Sequence, residues 1–366
     1  MPKKIRVGIL FGGRSAEHEV SLKSAKNIID AIDTNKYELV LIGIDKKGRW
    51  HLNEESRFLL PTSGSELPEL PESGENLALI PGRQGGQLVA LSGQQTLGSL
   101  DVIFPVLHGP FGEDGTVQGL LKLGNIPFVG AGVLGSAVAM DKDVTKRLLR
   151  DAGILVARFI SIDRYSSDKI DFDYARGQLG LPLFIKPANL GSSVGIHNIR
   201  DREGFDLAIR DAFNYDNKIL IEEAIKGREI ECSVLGNDNP VASVPGEILP
   251  RHEFYSYEAK YLDENGAVLE IPAKIPREIS ERIRQTAIKT FRVLCCEGMA
   301  RVDFFLRNDE EIIVNEINTI PGFTRISMYP KLWEASGLPY GELIDKLIAL
   351  AMEKFEREKG LKTDRA

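Results

Sequence analysis

Residues 301–323, RVDFFLRNDEEIIVNEINTIPGF, constrain the fold of this chain more than any other segment. Two apolar runs flank a charged turn, which is the pattern of a β-hairpin. Asp303 lies near the start of the first run, and Glu316 and Asn318 lie near the end of the second. An even loop centred near Asp309 and Glu310 sets Asp303 directly across from Glu316. Like charges opposed on a sheet are destabilising, so this hairpin calls for a cation between the two carboxylates. A solvated acidic hairpin end is the plainer alternative. It is disfavoured because Glu316 and Asn318 adjoin the apolar run EIIV and precede the turn TIPGF.

The rest of the chain supplies the context. Its 366 residues are long for one hydrophobic core, which predicts two or three domains. The formal net charge is −7 with acids and bases interspersed, so a basic nucleic-acid-binding surface is not expected. Three cysteines without a CxxC pair, and five scattered histidines, argue against a disulfide framework or a structural zinc site. No signal-peptide pattern and no run of membrane-spanning length occurs, so a soluble cytoplasmic protein without membrane partners is expected.

IRVGILFGG (5–13) reads as a buried parallel strand ending in a tight turn, followed by a helix with Ala25, Ile28, Ile29 and Ile32 on one face. Further strands are expected at YELVLIGID (37–45), LDVIFPVLHG (100–109) and IPFVGAG (126–132). Residues 60–98, rich in Pro, Gly, Ser and Gln, read as a surface excursion. This alternation predicts a doubly wound α/β domain to about residue 135. Beyond it, MDKDVTKRLLRDAG (140–153) is a helix with Asp141 as N-cap and Gly153 as its stop. Strand pairs follow at 181–199 and 218–236, then a helix over 276–294, the hairpin, and a helix over 340–357. That mixture predicts an α+β body.

Two glycine motifs compete for a nucleotide. GAGVLG (130–135) fits G-x-G-x-x-G, but a dinucleotide site also needs a helix opening within the motif and an acid about twenty residues on. The clearest helix start is Asp141, so these glycines read as a turn between domains, and a dehydrogenase is the remote alternative. KPANLGSSVGI (186–196) places Gly191, Ser192, Ser193 and Gly195 in a loop between strands, with Lys186 ahead of it. Such a loop can cradle phosphate oxygens or be a simple hairpin turn. Lys142, Lys186, Glu222-Glu223, Asp303, Glu316 and Asn318 together favour the phosphate reading, because a few oxygen ligands plus phosphate oxygens are how Mg²⁺ is held in ATP-using enzymes.

The ordered motifs LFGGRSAEHEVSLKSA, HGPFGEDGTVQG, MDKDVTKRLL, KPANLGSSVG, EAKY, RVDFFL and NEINTIPGFT resemble the D-alanine–D-alanine ligase family of the ATP-grasp superfamily, over about residues 5–350. The resemblance implies three domains: an N-terminal α/β substrate-binding domain (1–139), a central ATP-grasp lobe (140–226) and a C-terminal lobe (227–366). It implies that ATP phosphorylates one D-alanine, that a second D-alanine attacks the acyl phosphate, and that the dipeptide serves peptidoglycan synthesis. It also implies two Mg²⁺ ions (Mn²⁺ can substitute) and a homodimer.

Position by position, the resemblance gives Lys142, Lys186 and Lys260 to the ATP phosphates, and the amides of Ser192, Ser193 and Val194 to the transferring phosphoryl group. Glu222 goes to the adenine amino group, the Glu223, Ala224 and Ile225 linker to the base, and Glu229 to the ribose. Asp303, Glu316 and Asn318 become the metal ligands. Arg301 and the Gly322 amide become the oxyanion donors. Glu17 and His108 sit at the first D-alanine and Ser327 at the second, with Tyr261 linking through Ser192 to Glu17. Locally, Glu17 reads equally as a first-turn acid and His108 as a structural histidine. YEAKY (257–261) favours D-alanine over D-lactate as second substrate. The alternatives are a D-alanine–D-lactate ligase and a non-catalytic nucleotide-binding protein. Departures from the family pattern are Glu223 and Ala224 in the linker, and Pro110 and Phe111 in the HGPFGEDG loop.

Overall fold

Apolar alternation and crossover connections sort the strands into three sheets. This computed structural model describes residues 3–53, 70, 75–82, 87–91, 98–165, 171–192, 194–250 and 267–362. The first sheet contains β1 (Ile5–Gly12), β2 (Tyr37–Ile44), β3 (Trp50–Asn53), β4 (Glu75–Leu79), β5 (Leu88–Ala90) and β6 (Val102–Val106), in the order β5-β4-β3-β2-β1-β6. β2, β1 and β6 are parallel, and the helix His18–Ala31 follows β1. This is the doubly wound core expected from sequence.

Two expectations for this region are corrected. Part of the 60–98 excursion forms β4 and β5, which extend the sheet antiparallel from β3, and Gly82 (φ +74°) allows the turn between them. IPFVGAG is not a strand. It makes one bridge, Ile103 to Phe128. Pro127 has no N–H to continue a ladder, and Gly130 (φ +96°) turns the chain away. The sequence also placed no helix start within GAGVLG, yet a helix opens there, over Val133–Met140. The dinucleotide reading still fails, because no strand precedes the motif and its glycines are packing contacts. A Cβ on Gly135 would come 2.5 Å from the Cys295 carbonyl oxygen.

The second sheet joins β7 (Phe159–Asp163), β8 (Leu183–Pro187), β9 (His197–Ile199) and β10 (Lys218–Glu223), in the order β7-β10-β8-β9. Helices Phe172–Leu179 and Arg202–Tyr215 cover it through Phe172, Ala175, Phe205 and Ala212. The third sheet contains β11 (Arg228–Gly236), β12 (Val241–Ala242), β13 (Gly246–Pro250), β14 (Ala267–Glu270), β15 (Gly298–Arg307) and β16 (Glu311–Asn318). Its order is β14-β13-β11-β15-β16, with β12 on β11. Helix Arg277–Val293 covers one face, meeting the even-numbered residues of β15 from Ala300 to Leu306.

The largest core joins the first and last parts of the chain. Val7, Phe11 and Phe104 share it with Phe323, Ile344 and Leu347 of the C-terminal region. Phe104 and Phe323 meet edge to face at 5.9 Å. This contact seats the turn after β16, TIPGF, against the end of β6. It is how residues more than 200 positions apart come to share one site.

Candidate active site

The opening hairpin is built differently from its sequence reading and ends in the same place. Its loop is odd, not even: Arg307 pairs with Glu311, leaving Asn308, Asp309 and Glu310, of which Asn308 and Asp309 adopt positive φ. Asn and Asp tolerate that left-handed backbone better than other side chains. Farther along, Phe304 pairs with Val314 and Asp303 with Glu316, so Asn315 is a bulge. The bulge changes the phase of alternation. Glu316 and Asn318 therefore point to the same face as Arg301 and Asp303, away from helix Arg277–Val293.

The like-charge problem is larger than the hairpin alone indicates. β11 lies on the other side of β15 and places Glu231 opposite Asp303. Three carboxylates therefore lie in a row across three strands. Arg301 is the cation among them. Its Nε and Nη2 fork onto Asp303 at 2.7 Å each, and Nε lies 2.9 Å from Glu231. Asn318 Nδ2 donates to Asp303 at 3.0 Å. Glu229 sits two residues before Glu231 and faces the same side. The oxygen set Asp303, Glu316 and Asn318 suits a hard divalent ion such as Mg²⁺, with no sulfur or imidazole donor among them.

Across a narrow cleft from Glu316 and Asn318 stand Lys142, Leu190, Gly191 and Glu113. Asp141 caps the helix Lys142–Asp151 by accepting from the Val144 amide, so Lys142 begins the helix as the sequence predicts. Lys142 Nζ donates to the Leu190 carbonyl. Burial pushes the Lys142 ammonium below its ordinary range, against the pull of Glu316. Lys186, on β8, reaches Glu222 Oε2 at 2.8 Å.

The glycine and serine loop leans toward the N-terminal domain. Ser192, at φ +53°, donates its hydroxyl to Glu17. Glu17 is buried beside Ser15, whose hydroxyl accepts from the Glu17 amide and donates to the His108 carbonyl. A Cβ on Gly109 would approach Glu17 Oε2 to 2.8 Å, and Gly109 also needs φ +75°. His108 is buried, and its Nδ1 lies 2.9 Å from the Ile320 carbonyl. Burial holds its pKa below the usual histidine range. Val194 donates its amide to Gly191 within the loop.

Other sequence-predicted positions fall as follows. Gly322 lies beside Ser327: a Cβ there would meet Ser327 Oγ at 2.8 Å. Ser327 Oγ accepts from the Thr324 amide at 3.0 Å. In the linker, the Glu223 carboxylate is held by Arg158, and the Ala224 amide donates to the Pro182 carbonyl at 3.3 Å. Ile225 follows them before β11. Phe111 is half-exposed with Arg14 stacked 4.8 Å from its ring centre. Ser193, Lys260 and Tyr261 lie outside the described residues.

Profiles described as D-ala D-ala ligase N-terminus and D-ala D-ala ligase C-terminus match residues 6–131 and 148–349. A relative from Oceanobacillus iheyensis named D-alanine–D-alanine ligase is 57% identical over 363 residues, spanning 99% of both chains. The chain belongs to the D-alanine–D-alanine ligase family. The solved D-alanine–D-alanine ligase from Coxiella burnetii matches with a TM-score of 0.86 at 40% identity, covering 97% of this chain and 96% of that one. The Bacillus anthracis ligase complexed with ATP matches at 0.72 and 27% identity, covering 97% and 99%. The α/β domain followed by an ATP-grasp body is the fold this family implies.

Within this ligase fold, the ionisable side chains Lys146, Glu231 and Glu113 had escaped the sequence reading. Lys146 lies one helical turn beyond Lys142, so i,i+4 spacing could have flagged it. Glu231 follows Glu229 at strand spacing and had the same kind of signal. Glu113, in HGPFGEDG, had none. It accepts from the amides of Gly109 at 2.7 Å and of Ile320 at 3.1 Å, a partner far away in sequence. Burial, with the nearby Glu17 charge, pushes the Glu113 carboxyl up to about 8.

Proposed function

We propose that this chain ligates two D-alanines to D-alanyl-D-alanine, with ATP converting the first carboxylate to an acyl phosphate, for use in peptidoglycan precursors. The observation that carries the assignment is the placement of Asp303, Glu316 and Asn318 across a cleft from Lys142, with the Ser192–Glu17 contact at its end. Phosphoryl transfer depends mainly on positioning and charge neutralisation, and this cleft is built for both.

In this reading Glu17 and His108 receive the first D-alanine, whose carboxylate oxygen attacks the γ-phosphorus while ADP leaves. The amine of the second D-alanine, held near Ser327, attacks the acyl carbon. Arg301 and the Gly322 amide take the developing oxyanion, and phosphate departs. Lys142, Lys186, Lys260 and the Ser192–Val194 amides hold the phosphates. Glu222, the linker 223–225 and Glu229 hold the nucleoside. Asp303, Glu316 and Asn318 would hold Mg²⁺, or Mn²⁺ in its place, whose contribution is to neutralise the transferring phosphoryl group. Tyr261 would orient Ser192 for the dipeptide reaction.

The division into units 1–139, 140–226 and 227–366 belongs to the same reading, with each sheet falling inside one unit. So does a cytosolic homodimer. Among the described residues, no helix is long and apolar enough to cross a membrane. Coupled phosphate release with D-alanine, L-alanine and D-lactate tests the assignment. Release should require D-alanine and yield the dipeptide. Preference for D-lactate near neutral pH sinks the dipeptide assignment, and D-alanine-independent release sinks the ligase assignment.

A further inference from the structure

Beneath the cleft lies a lysine that the phosphoryl-transfer account leaves unused. Lys146 is fully buried, as no other lysine among the described residues is. Its Nζ faces Glu222 Oε1 at 3.3 Å, while Lys186 takes the other oxygen, Oε2, at 2.8 Å. Neither Lys146 Nζ nor Glu222 Oε1 makes a hydrogen bond to a described residue. The pair is therefore an ion pair, and the two lysines hold the Glu222 carboxylate from both of its oxygens. A buried ammonium without a hydrogen-bond acceptor is costly and needs a reason to persist.

We propose that Lys146 is a positioning residue for nucleotide choice: together with Lys186 it fixes Glu222 as an oriented carboxylate that accepts from the exocyclic amino group of adenine. This rests on the reading of Glu222 as the base acceptor. A carboxylate is acceptor-only. It pairs with the amino group of adenine and repels the oxo group that guanine or hypoxanthine presents at the same position. Without Lys146, Glu222 loses one of the two cations flanking it. Burial pushes its carboxyl up, and the charges of Lys146 and Lys186 bring it below the ordinary carboxylate range. A protonated Glu222 would donate as well as accept, and the distinction between amino and oxo groups would fade.

The test compares kcat and KM for ATP and GTP in wild type, Lys146→Met, Lys146→Gln, Lys146→Arg and Glu222→Gln, with thermal melts to confirm folding. Lys146→Met and Lys146→Gln should raise the KM for ATP about tenfold or more, the weight of one charge-assisted contact. The ATP:GTP preference should fall by a similar factor, with kcat and the D-alanine KM little changed. Lys146→Arg should restore most of the preference. If folded Lys146→Met or Lys146→Gln keeps the wild-type preference while Glu222→Gln loses it, the inference is wrong and the acceptor reading stands. If Glu222→Gln also keeps it, the acceptor reading itself is wrong. If neither neutral variant folds, a Lys146→Arg enzyme that folds without the ATP preference overturns the proposal, and one that keeps it supports it.

Discussion

Arg301→Gln should weaken turnover and strengthen metal binding at the same time. Arg301 engages Asp303 through two charge-assisted hydrogen bonds of 2.7 Å. A metal ion that takes Asp303 has to displace at least part of that fork. One such bond to a charged group is worth about 1.5–3 kcal/mol net. At about 1.4 kcal/mol per tenfold, its removal should tighten nucleotide-free Mn²⁺ or Mg²⁺ binding by about ten- to a hundredfold. The row Glu231, Asp303 and Glu316 then loses the Arg301 guanidinium, so the variant should also melt lower without metal and recover more than wild type when metal is added. Turnover should fall about 10²- to 10³-fold if Arg301 donates to the oxyanion. Calorimetric titration of metal into both proteins without nucleotide reads the first effect. A variant affinity equal to or weaker than wild type removes Asp303 from the ligand set.

Three further outcomes are expected. Glu316→Gln should lower kcat by about a hundredfold or more while moving the melting temperature little, since Glu316 is half-exposed on the cleft face; near wild-type turnover excludes it as a ligand. Ser192→Ala removes the hydroxyl that Glu17 accepts, and should cost about ten- to a hundredfold in kcat/KM for D-alanine with KM for ATP unchanged; an effect confined to ATP would place Ser192 with the nucleotide instead. Glu113 carries a carboxyl raised from 4.5 to about 8 in the folded protein. Its proton therefore stabilises the fold fully below the unfolded value, and that contribution is lost as pH rises through about 8. Wild type should lose melting temperature between about pH 6 and about pH 9 more steeply than Glu113→Gln; parallel slopes would show that Glu113 does not titrate there.

Sequence legibility followed distance along the chain. The Asp141 cap, the helix it starts and the strand pair around the glycine and serine loop are local patterns, and they stand where the sequence put them. The pairing of Asp303 with Glu316 was also legible, although an odd loop plus a bulge at Asn315 replaced the even loop. What stayed hidden depends on partners brought in from elsewhere. Glu113 is defined by the Ile320 amide, and Glu231 matters because β11 pairs with β15. IPFVGAG has the composition of a strand, but its proline and glycine leave it only one bridge. Composition does not record which side of a segment will find a neighbour. Lys146 was missed for another reason: its helical spacing was visible, but a lysine in that pattern reads as a solvated face until its burial is known.

The acyl phosphate is the centre of this account, and oxygen transfer tests it directly. D-alanine carrying ¹⁸O in its carboxylate is turned over with ATP, and the released phosphate is analysed by mass spectrometry. The account predicts one ¹⁸O in the phosphate for each dipeptide formed, because a carboxylate oxygen leaves bonded to phosphorus. Dipeptide formed with unlabelled phosphate would contradict it.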